Sequence, residues 1–357
     1  MPLLPRPSQR PTRSVARRSL VPLFALAAMA MLGLVGCGSD DSSSAESSTT
    51  APEAQPEEPT EPPSPEDDGP GVTLPPPPPD ESNIAYGTAP VCADGDPACP
   101  GDQTLDIYRS TADTDGPRPV AVWIHGGGFV TGDKTAVSAQ FQPLLDDGYD
   151  MVSIDYRLTT DSGDNRFPVP IRDAKRAIRW IKANAAANNW DPERVTAIGH
   201  SAGGNIVGML AASEDDPYLE PDDLPPELAS QSSAIAAGVA LTPVADLKAW
   251  EDHDQQYNSA MKYLGCLTDC DYAEGAVPTY VNSSNVPLWA MFGTDDVLAP
   301  PSDGKELADA YEKAGIGERF EYVVIDDGPE MWRGHNPDLQ RLIPQIRAFL
   351  DANTGRS

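Results

Sequence analysis

The stretch Val195-Thr196-Ala197-Ile198-Gly199-His200-Ser201-Ala202-Gly203-Gly204 decides the fold of this chain. Its first four residues form an apolar run typical of a buried strand, and residues 202–212 are small and apolar, as in a packed helix. Between the two, Gly199 and Gly203 flank Ser201 in a Gly-x-Ser-x-Gly turn. Because glycine permits a strained turn and close packing of helix on strand, the pattern predicts a serine nucleophile at this junction.

A second apolar run, Val120-Ala121-Val122-Trp123-Ile124, leads into His125-Gly126-Gly127-Gly128-Phe129. An oxyanion needs amide N–H groups aimed at it with no side chain in the way, and successive glycines permit that backbone path. We expect the N–H groups of Gly127 and Gly128 to serve this purpose, joined by the N–H of Ala202.

Strand and helix patterns alternate along the rest of the chain. Further strands are predicted at residues 104–108, 151–154, 234–241, 287–292 and 320–325, and helices at residues 136–145, 169–181, 302–314 and 339–350. This alternation predicts the α/β class: a doubly wound, mostly parallel sheet with helices on both faces, in a single catalytic domain with insertions.

A serine hydroxyl needs a base within hydrogen-bond reach, and the chain has only four histidines. His125 opens the glycine loop and His200 adjoins the serine, whereas the base belongs downstream in the order Ser, Asp, His. His335 follows the last predicted strand, where a parallel sheet builds its site. We therefore predict His335 as the base, in preference to His253, which lies in an irregular acidic region.

The acid that orients the base is expected after the preceding strand, in Gly293-Thr294-Asp295-Asp296-Val297-Leu298. Two adjacent carboxylates leave two candidates. The spacing favours Asp296, with Asp295 as the alternative, and either side chain could serve only the turn.

The amino-terminal region predicts export and a lipid anchor. Residues 1–18 carry five arginines and no acid, residues 20–35 are almost wholly apolar, and Cys37 follows after Gly36. This resembles a bacterial lipoprotein signal peptide over residues 1–36, with Cys37 as the lipidation site. The protein is then expected at the cell membrane, facing outside the cytoplasm. Arg17-Arg18 leaves the general and twin-arginine export routes open.

Residues 37–82 are predicted to be a disordered tether. From Ser39 to Ser82 there are twelve acidic residues and no Lys or Arg, and a proline run closes the segment. Residues 83–357 are predicted to form the catalytic domain. Two stretches of it, about 214–230 and 246–285, are long for simple connections and predict insertions. The second is placed either as a cap over the site or as a surface excursion.

Charge and cysteines restrict the partners. A formal net charge of −30 argues against nucleic-acid binding. The cysteines beyond Cys37 fall in two close pairs, Cys92/Cys99 and Cys266/Cys270, and in an exported protein these predict disulfides, most simply within each pair. Their spacing is not that of a metal site, and we expect neither metal nor cofactor.

Taken with Leu105-Asp106-Ile107-Tyr108 and Asp155-Tyr156-Arg157-Leu158, the two glycine motifs resemble the α/β-hydrolase superfamily. The resemblance, over about residues 83–352, is to hormone-sensitive-lipase-like carboxylesterases with a His-Gly-Gly-Gly oxyanion motif. It implies hydrolysis of small-molecule carboxylic esters by a Ser201–His335–Asp296 triad through an acyl-enzyme. The alternatives are a peptidase or amidase on the same fold and a catalytically inactive surface binding protein.

Overall fold

The computed structural model describes residues 77–89, 102–213, 216–251, 253–266, 269–326, 335–336 and 338–356. The predicted signal peptide, Cys37, the tether up to residue 76, Cys92 and Cys99 lie outside the described residues.

The described chain is organised around one eight-stranded sheet in the order β1-β2-β4-β3-β5-β6-β7-β8. β1 and β2 pair antiparallel, as do β2 and β4, and all the other pairs are parallel. The fold class predicted from the alternation of strands and helices is therefore confirmed. The strands are β1 (Glu81–Ala85), β2 (Thr104–Tyr108), β3 (Arg118–Ile124), β4 (Asp150–Ile154), β5 (Trp190–His200), β6 (Gly238–Leu241), β7 (Leu288–Gly293) and β8 (Phe320–Ile325).

Helices cover both faces of the sheet. They are α1 (Gln142–Asp146), α2 (Val169–Ala183), α3 (Ala185–Asn188), α4 (Ala202–Ala212), α5 (Pro226–Ala229), α6 (Asp254–Leu264), α7 (Pro301–Lys313) and α8 (Leu339–Thr354). Short 3-10 turns lie at Ala139–Phe141, Leu247–Trp250, Tyr272–Glu274, Val277–Tyr280 and Gly317–Arg319. Within the described ranges, no helix has both the length and the apolar character needed to span a bilayer.

The side chains of β3 show how the two faces are used. Val120, Val122 and Ile124 are buried in one core with residues of α2, α4 and α7. Ala121 and Trp123 point to the opposite face and pack in a second core with residues of α1 and α8. A strand covered on both faces must be apolar throughout, which explains the continuous apolar run in the sequence.

The strand order reverses at β3, whose neighbours are β4 on one side and β5 on the other. The connections leaving β3 and β5 therefore diverge, and a crevice opens at the carboxyl ends of the two strands, where α/β sheets bind ligands. Both glycine motifs lie at this edge, since residues 125–129 follow β3 and Ser201 follows β5.

Two boundaries differ from the sequence prediction. β1 begins at Glu81, before the predicted domain start at residue 83. The early start is stabilised by Arg109. Its backbone N–H donates to the Asp80 carboxylate, and its guanidinium pairs with Glu81 at 2.5 Å. The helix predicted over residues 136–145 is wrong as a single element. Pro143 has no N–H to continue a helical ladder, so a 3-10 turn ends at Phe141 and α1 starts afresh.

Asp303, in the first turn of α7, is a buried carboxyl that holds the start of the second insertion through hydrogen bonds to its backbone. Its Oδ2 accepts from the backbone N–H groups of Ala245 (3.2 Å) and Asp246 (3.3 Å). Burial raises the pKa of Asp303 to about 8, and the Asp246 charge adds to the rise. The native state then holds a proton that the unfolded chain releases near its ordinary pKa of 3.8, so stability falls as pH rises between about 4 and 8.

Asp303→Asn is expected to flatten this dependence, because the amide oxygen still accepts both bonds but no longer titrates. Between pH 5 and pH 8.5 the wild type should lose free energy of unfolding, on the order of a few kcal/mol, that the variant keeps. Urea unfolding at the two pH values measures the difference. Asp309→Asn, at an exposed carboxyl of the same helix, is the control. Equal pH dependence in wild type and Asp303→Asn would contradict the assignment.

Candidate active site

Ser201 occupies a strained turn between β5 and α4, with φ 56° and ψ −119°. The turn needs small neighbours. A methyl group on Gly203 would overlap the carbonyl oxygen of Ile124 in β3, and one on Gly199 would overlap the carbonyl oxygen of Gly203. The Ser201 N–H donates to Leu241 of β6 at 2.9 Å, which ties the turn to the next strand. Backbone strain of this kind persists only where the surrounding structure holds it, and it clusters at functional sites.

His335 lies between Ser201 and Asp296. Its Nε2 is 2.9 Å from Ser201 Oγ, and its Nδ1 is 2.8 Å from Asp296 Oδ2. All three side chains are buried, with 5% of His335 and 3% of Asp296 exposed. The Nδ1–H donates a hydrogen bond to the Asp296 carboxylate, which leaves the Nε2 lone pair directed at the serine hydroxyl. In this arrangement the imidazole can take a proton from Ser201.

The structure separates the two candidate acids and the two candidate bases. Asp296 Oδ1 accepts from the N–H groups of Leu298 (2.8 Å) and Ala299 (3.0 Å), which holds the carboxylate still while Oδ2 faces His335. Asp295 is exposed to solvent. His253 lies at the start of α6, and no hydrogen bond among the described residues joins its ring to Ser201.

The glycine loop approaches Ser201 from β3. Gly127 and Gly128 have φ values of 108° and 61°, in the left-handed region that glycine tolerates. The Gly127 carbonyl accepts from Val130 and Thr131, both at 3.1 Å, while the N–H groups of Gly127 and Gly128 meet no acceptor among the described residues. Ala202 is the first residue of α4, where an N–H has no partner inside the helix.

The other two site histidines have structural contacts. Burial lowers the pKa of both His125 and His200 to about 4, so both rings are neutral at ordinary pH. The His125 ring stacks on Tyr156 at a centroid distance of 4.3 Å, and its Nδ1 is 2.7 Å from the Gly126 carbonyl oxygen. His200 Nε2 is 2.7 Å from the backbone carbonyl oxygen of His335. Sequence reasoning excluded both as the base but found no role for His200.

The second insertion packs against the glycine loop. The Phe129 ring stacks on Tyr263 of α6 at a centroid distance of 3.7 Å and lies 6.3 Å from the ring of Trp250. The Trp250 indole N–H donates to the Leu298 carbonyl at 2.9 Å, in the turn that holds Asp296. Trp250 thus touches both the glycine loop and the acid turn, a link that the sequence did not predict.

The insertions are fastened in different ways. Cys266 and Cys270 form a disulfide just after α6, as the local pairing predicted. The described part of the first insertion is held to α2 by ion pairs, including Lys175–Glu220 at 2.7 Å and Arg172–Asp222 at 3.2 Å. Neither the site nor any other described region groups three or more His, Cys, Asp or Glu side chains so that they could hold a metal ion.

Known proteins resemble this chain in sequence. It is 27% identical over 216 residues to the probable carboxylic ester hydrolase LipM of Mycobacterium tuberculosis, covering 57% of this chain and 48% of that protein. It is 31% identical over 163 residues to the versiconal hemiacetal acetate esterase of Dothistroma septosporum, covering 44% and 43%. The chain thus spans about half the length of these curated relatives.

Solved structures agree on the fold. Propionate-bound esterase Est2 of Thermogutta terrifontis is 25% identical and superposes with a TM-score of 0.55, covering 70% of this chain and 89% of that one. A truncated carbohydrate esterase from gut microbiota is 19% identical with a TM-score of 0.64, covering 77% and 96%. The model of the family described as BD-FAE matches residues 105–311, more than half of the chain, from β2 into α7. With its α/β-hydrolase fold and this match, the chain belongs to the BD-FAE family.

Proposed function

We propose that the chain is a serine carboxylic ester hydrolase that forms an acyl-enzyme on Ser201. The observation that carries the proposal is the unbroken series of hydrogen bonds from Ser201 Oγ through His335 to Asp296, at 2.9 and 2.8 Å. A relay of this kind makes a serine hydroxyl nucleophilic. The names of the curated relatives, which include a carboxylic ester hydrolase and an esterase, support the same reaction class.

In the first half-reaction, His335 Nε2 takes the Ser201 proton as Oγ attacks the ester carbonyl carbon. The N–H groups of Gly127, Gly128 and Ala202 stabilise the negative oxygen that results. His335 then gives the proton to the departing alkoxide, and the alcohol leaves the acyl-enzyme. Asp296 remains ionised and stabilises the imidazolium.

In the second half-reaction, water attacks the acyl carbon and loses its proton to His335. The tetrahedral intermediate collapses, Ser201 recovers the proton, and the carboxylic acid is released. The same amides serve both tetrahedral intermediates, since the negative oxygen occupies the same place in each.

The test compares turnover of p-nitrophenyl acetate with that of an aminoacyl-p-nitroanilide and follows labelling by a fluorophosphonate. We expect faster ester turnover and a label on the peptide that contains Ser201, located by mass spectrometry. Preference for the anilide would favour a peptidase or amidase. Neither turnover nor labelling would favour an inactive binding protein.

We also propose that the protein is exported and anchored to the membrane by lipid on Cys37. Support comes from the arginine-rich start, the apolar run of residues 20–35 and the position of Cys37 just after it, separated only by Gly36. Cys37→Ala should abolish incorporation of labelled fatty acid and release the protein from the membrane fraction. Membrane retention of Cys37→Ala at the wild-type level would refute the anchor.

A further inference from the structure

The backbone of His335 is held by two side chains that the reaction itself does not use. Its carbonyl oxygen is 2.7 Å from His200 Nε2 and 2.9 Å from Thr242 Oγ1. A carbonyl oxygen has two lone pairs and only accepts, so both partners donate to it. We propose that His200 and Thr242 are positioning residues that clamp the His335 carbonyl and so aim the imidazole between Ser201 and Asp296.

The location of the two donors makes the clamp rigid. His200 is the last residue of β5, and Thr242 directly follows β6, whose Leu241 is the register partner of His200. Thr242 is fully buried, and its N–H donates to Met291 of β7 at 2.8 Å. Both donors therefore lie at the carboxyl ends of parallel strands in the middle of the sheet, whereas His335 lies on the connection after β8. The sheet that presents Ser201 also holds the base against it.

The protonation state of His200 suits this task. Donation to a carbonyl requires the proton on Nε2, which fixes the tautomer. Burial, with the nearby His335 as the second cause, lowers the pKa of His200 to about 4, so the ring stays neutral at ordinary pH. The centroids of the His200 and His335 rings are 5.1 Å apart. A neutral His200 can donate without placing a positive charge beside His335 when that ring takes up the serine proton.

The clamp affects rate more than binding, since it touches neither substrate nor reacting atoms. A small misplacement of a catalytic group can lower turnover by up to about a hundredfold. His200→Phe, which keeps a ring but loses the donor, should lower kcat about tenfold or more with KM unchanged within about twofold. Thr242→Val, which keeps the branched shape, should lower kcat about fivefold, and the double variant should lose more than either.

Conservative variants separate positioning from packing. His200→Gln can still donate from its amide, and Thr242→Ser keeps the hydroxyl. If positioning is the role, Gln should outperform Phe at residue 200 and Ser should outperform Val at residue 242. If the ring only fills space, the order at residue 200 should reverse. His253→Phe, at the one histidine outside the site, is the matched control and should retain wild-type kcat.

The proposal rests on the proposed ester hydrolysis, so a readout independent of turnover is included. With four histidines, single substitutions assign every imidazole in an NMR spectrum of ¹⁵N-labelled full-length protein. We expect an Nε2–H tautomer for His200 and a downfield His335 Nδ1 proton that is lost in His200→Phe/Thr242→Val. An Nδ1–H tautomer for His200, or an unchanged His335 proton in that folded double variant, would overturn the clamp.

The two failures are therefore distinguishable. A wild type that neither turns over esters nor takes a fluorophosphonate label refutes the hydrolase, while the NMR spectra still decide the clamp. A wild type that turns over esters, with His200→Phe and Thr242→Val equally active, refutes the clamp alone. If His200→Phe fails to fold, kcat of Thr242→Val against Thr242→Ser decides between positioning and packing.

Discussion

Asp296→Asn is expected to lower kcat by about 10⁴-fold while the protein remains folded. The asparagine oxygen can still accept from the N–H groups of Leu298 and Ala299, so the turn should keep its shape. Its NH₂ group then faces His335 Nδ1 and donates to it. The imidazole proton must move to Nε2, and a protonated Nε2 cannot take the proton of Ser201.

Asp295→Asn is the matched control, because it makes the same chemical change at the neighbouring exposed carboxylate. Its kcat for p-nitrophenyl acetate should stay within about twofold of wild type, since an exposed side chain away from such contacts contributes little. Circular dichroism and a melting curve would verify the fold of both variants. A large loss in Asp295→Asn with an active Asp296→Asn would reverse the assignment of the acid.

Gly127→Ala is expected to lower kcat by about 10²- to 10³-fold, comparable to the loss of an oxyanion donor. At φ 108° an alanine is strained, and its methyl group would overlap the carbonyl oxygen of Thr131, the same residue whose N–H closes the loop. The backbone must move to relieve the overlap, and the N–H groups of the loop move with it.

Gly128→Ala is the comparison variant, because it makes the same change at the next residue of the loop. At φ 61° alanine is disfavoured by about 1–2 kcal/mol, but its methyl group would make only ordinary contacts, with Ser259 Oγ at 3.4 Å, Ser259 Cβ at 3.5 Å and Trp250 Cη2 at 3.8 Å. We therefore expect Gly128→Ala to retain much more activity than Gly127→Ala. Equal kcat values for the two variants in the same ester assay would contradict the role of the loop shape.

The sequence predicted the serine turn and the glycine loop well, because both depend on local backbone demands that only glycine meets. It also led to His335, since few histidines were present and chain order excluded others. It favoured Asp296 over Asp295 by spacing but left both as candidates, because neighbouring acids look alike until burial separates them. The N–H groups of Leu298 and Ala299, which hold the Asp296 carboxylate, are seen only in the folded structure.

Contacts between distant segments were beyond the reach of sequence patterns. Thr242 meets the His335 carbonyl across 93 residues of chain, and nothing in the local sequence around either residue marks the pairing. Trp250 lies in the insertion predicted over residues 246–285, and no local pattern marks its contacts with Phe129 and Leu298. Periodicity reports which face of an element is buried, but it does not report which buried group touches which.

The position of Trp250 limits how the protein can be re-engineered. The Trp250 ring lies near Phe129, and its indole N–H donates to Leu298. The insertion therefore supports both the glycine loop and the turn that holds Asp296. Shortening residues 246–285 to admit bulkier molecules would therefore remove a support of the site. Loop grafting from relatives has the best prospects where the graft carries an aromatic donor to the same carbonyl.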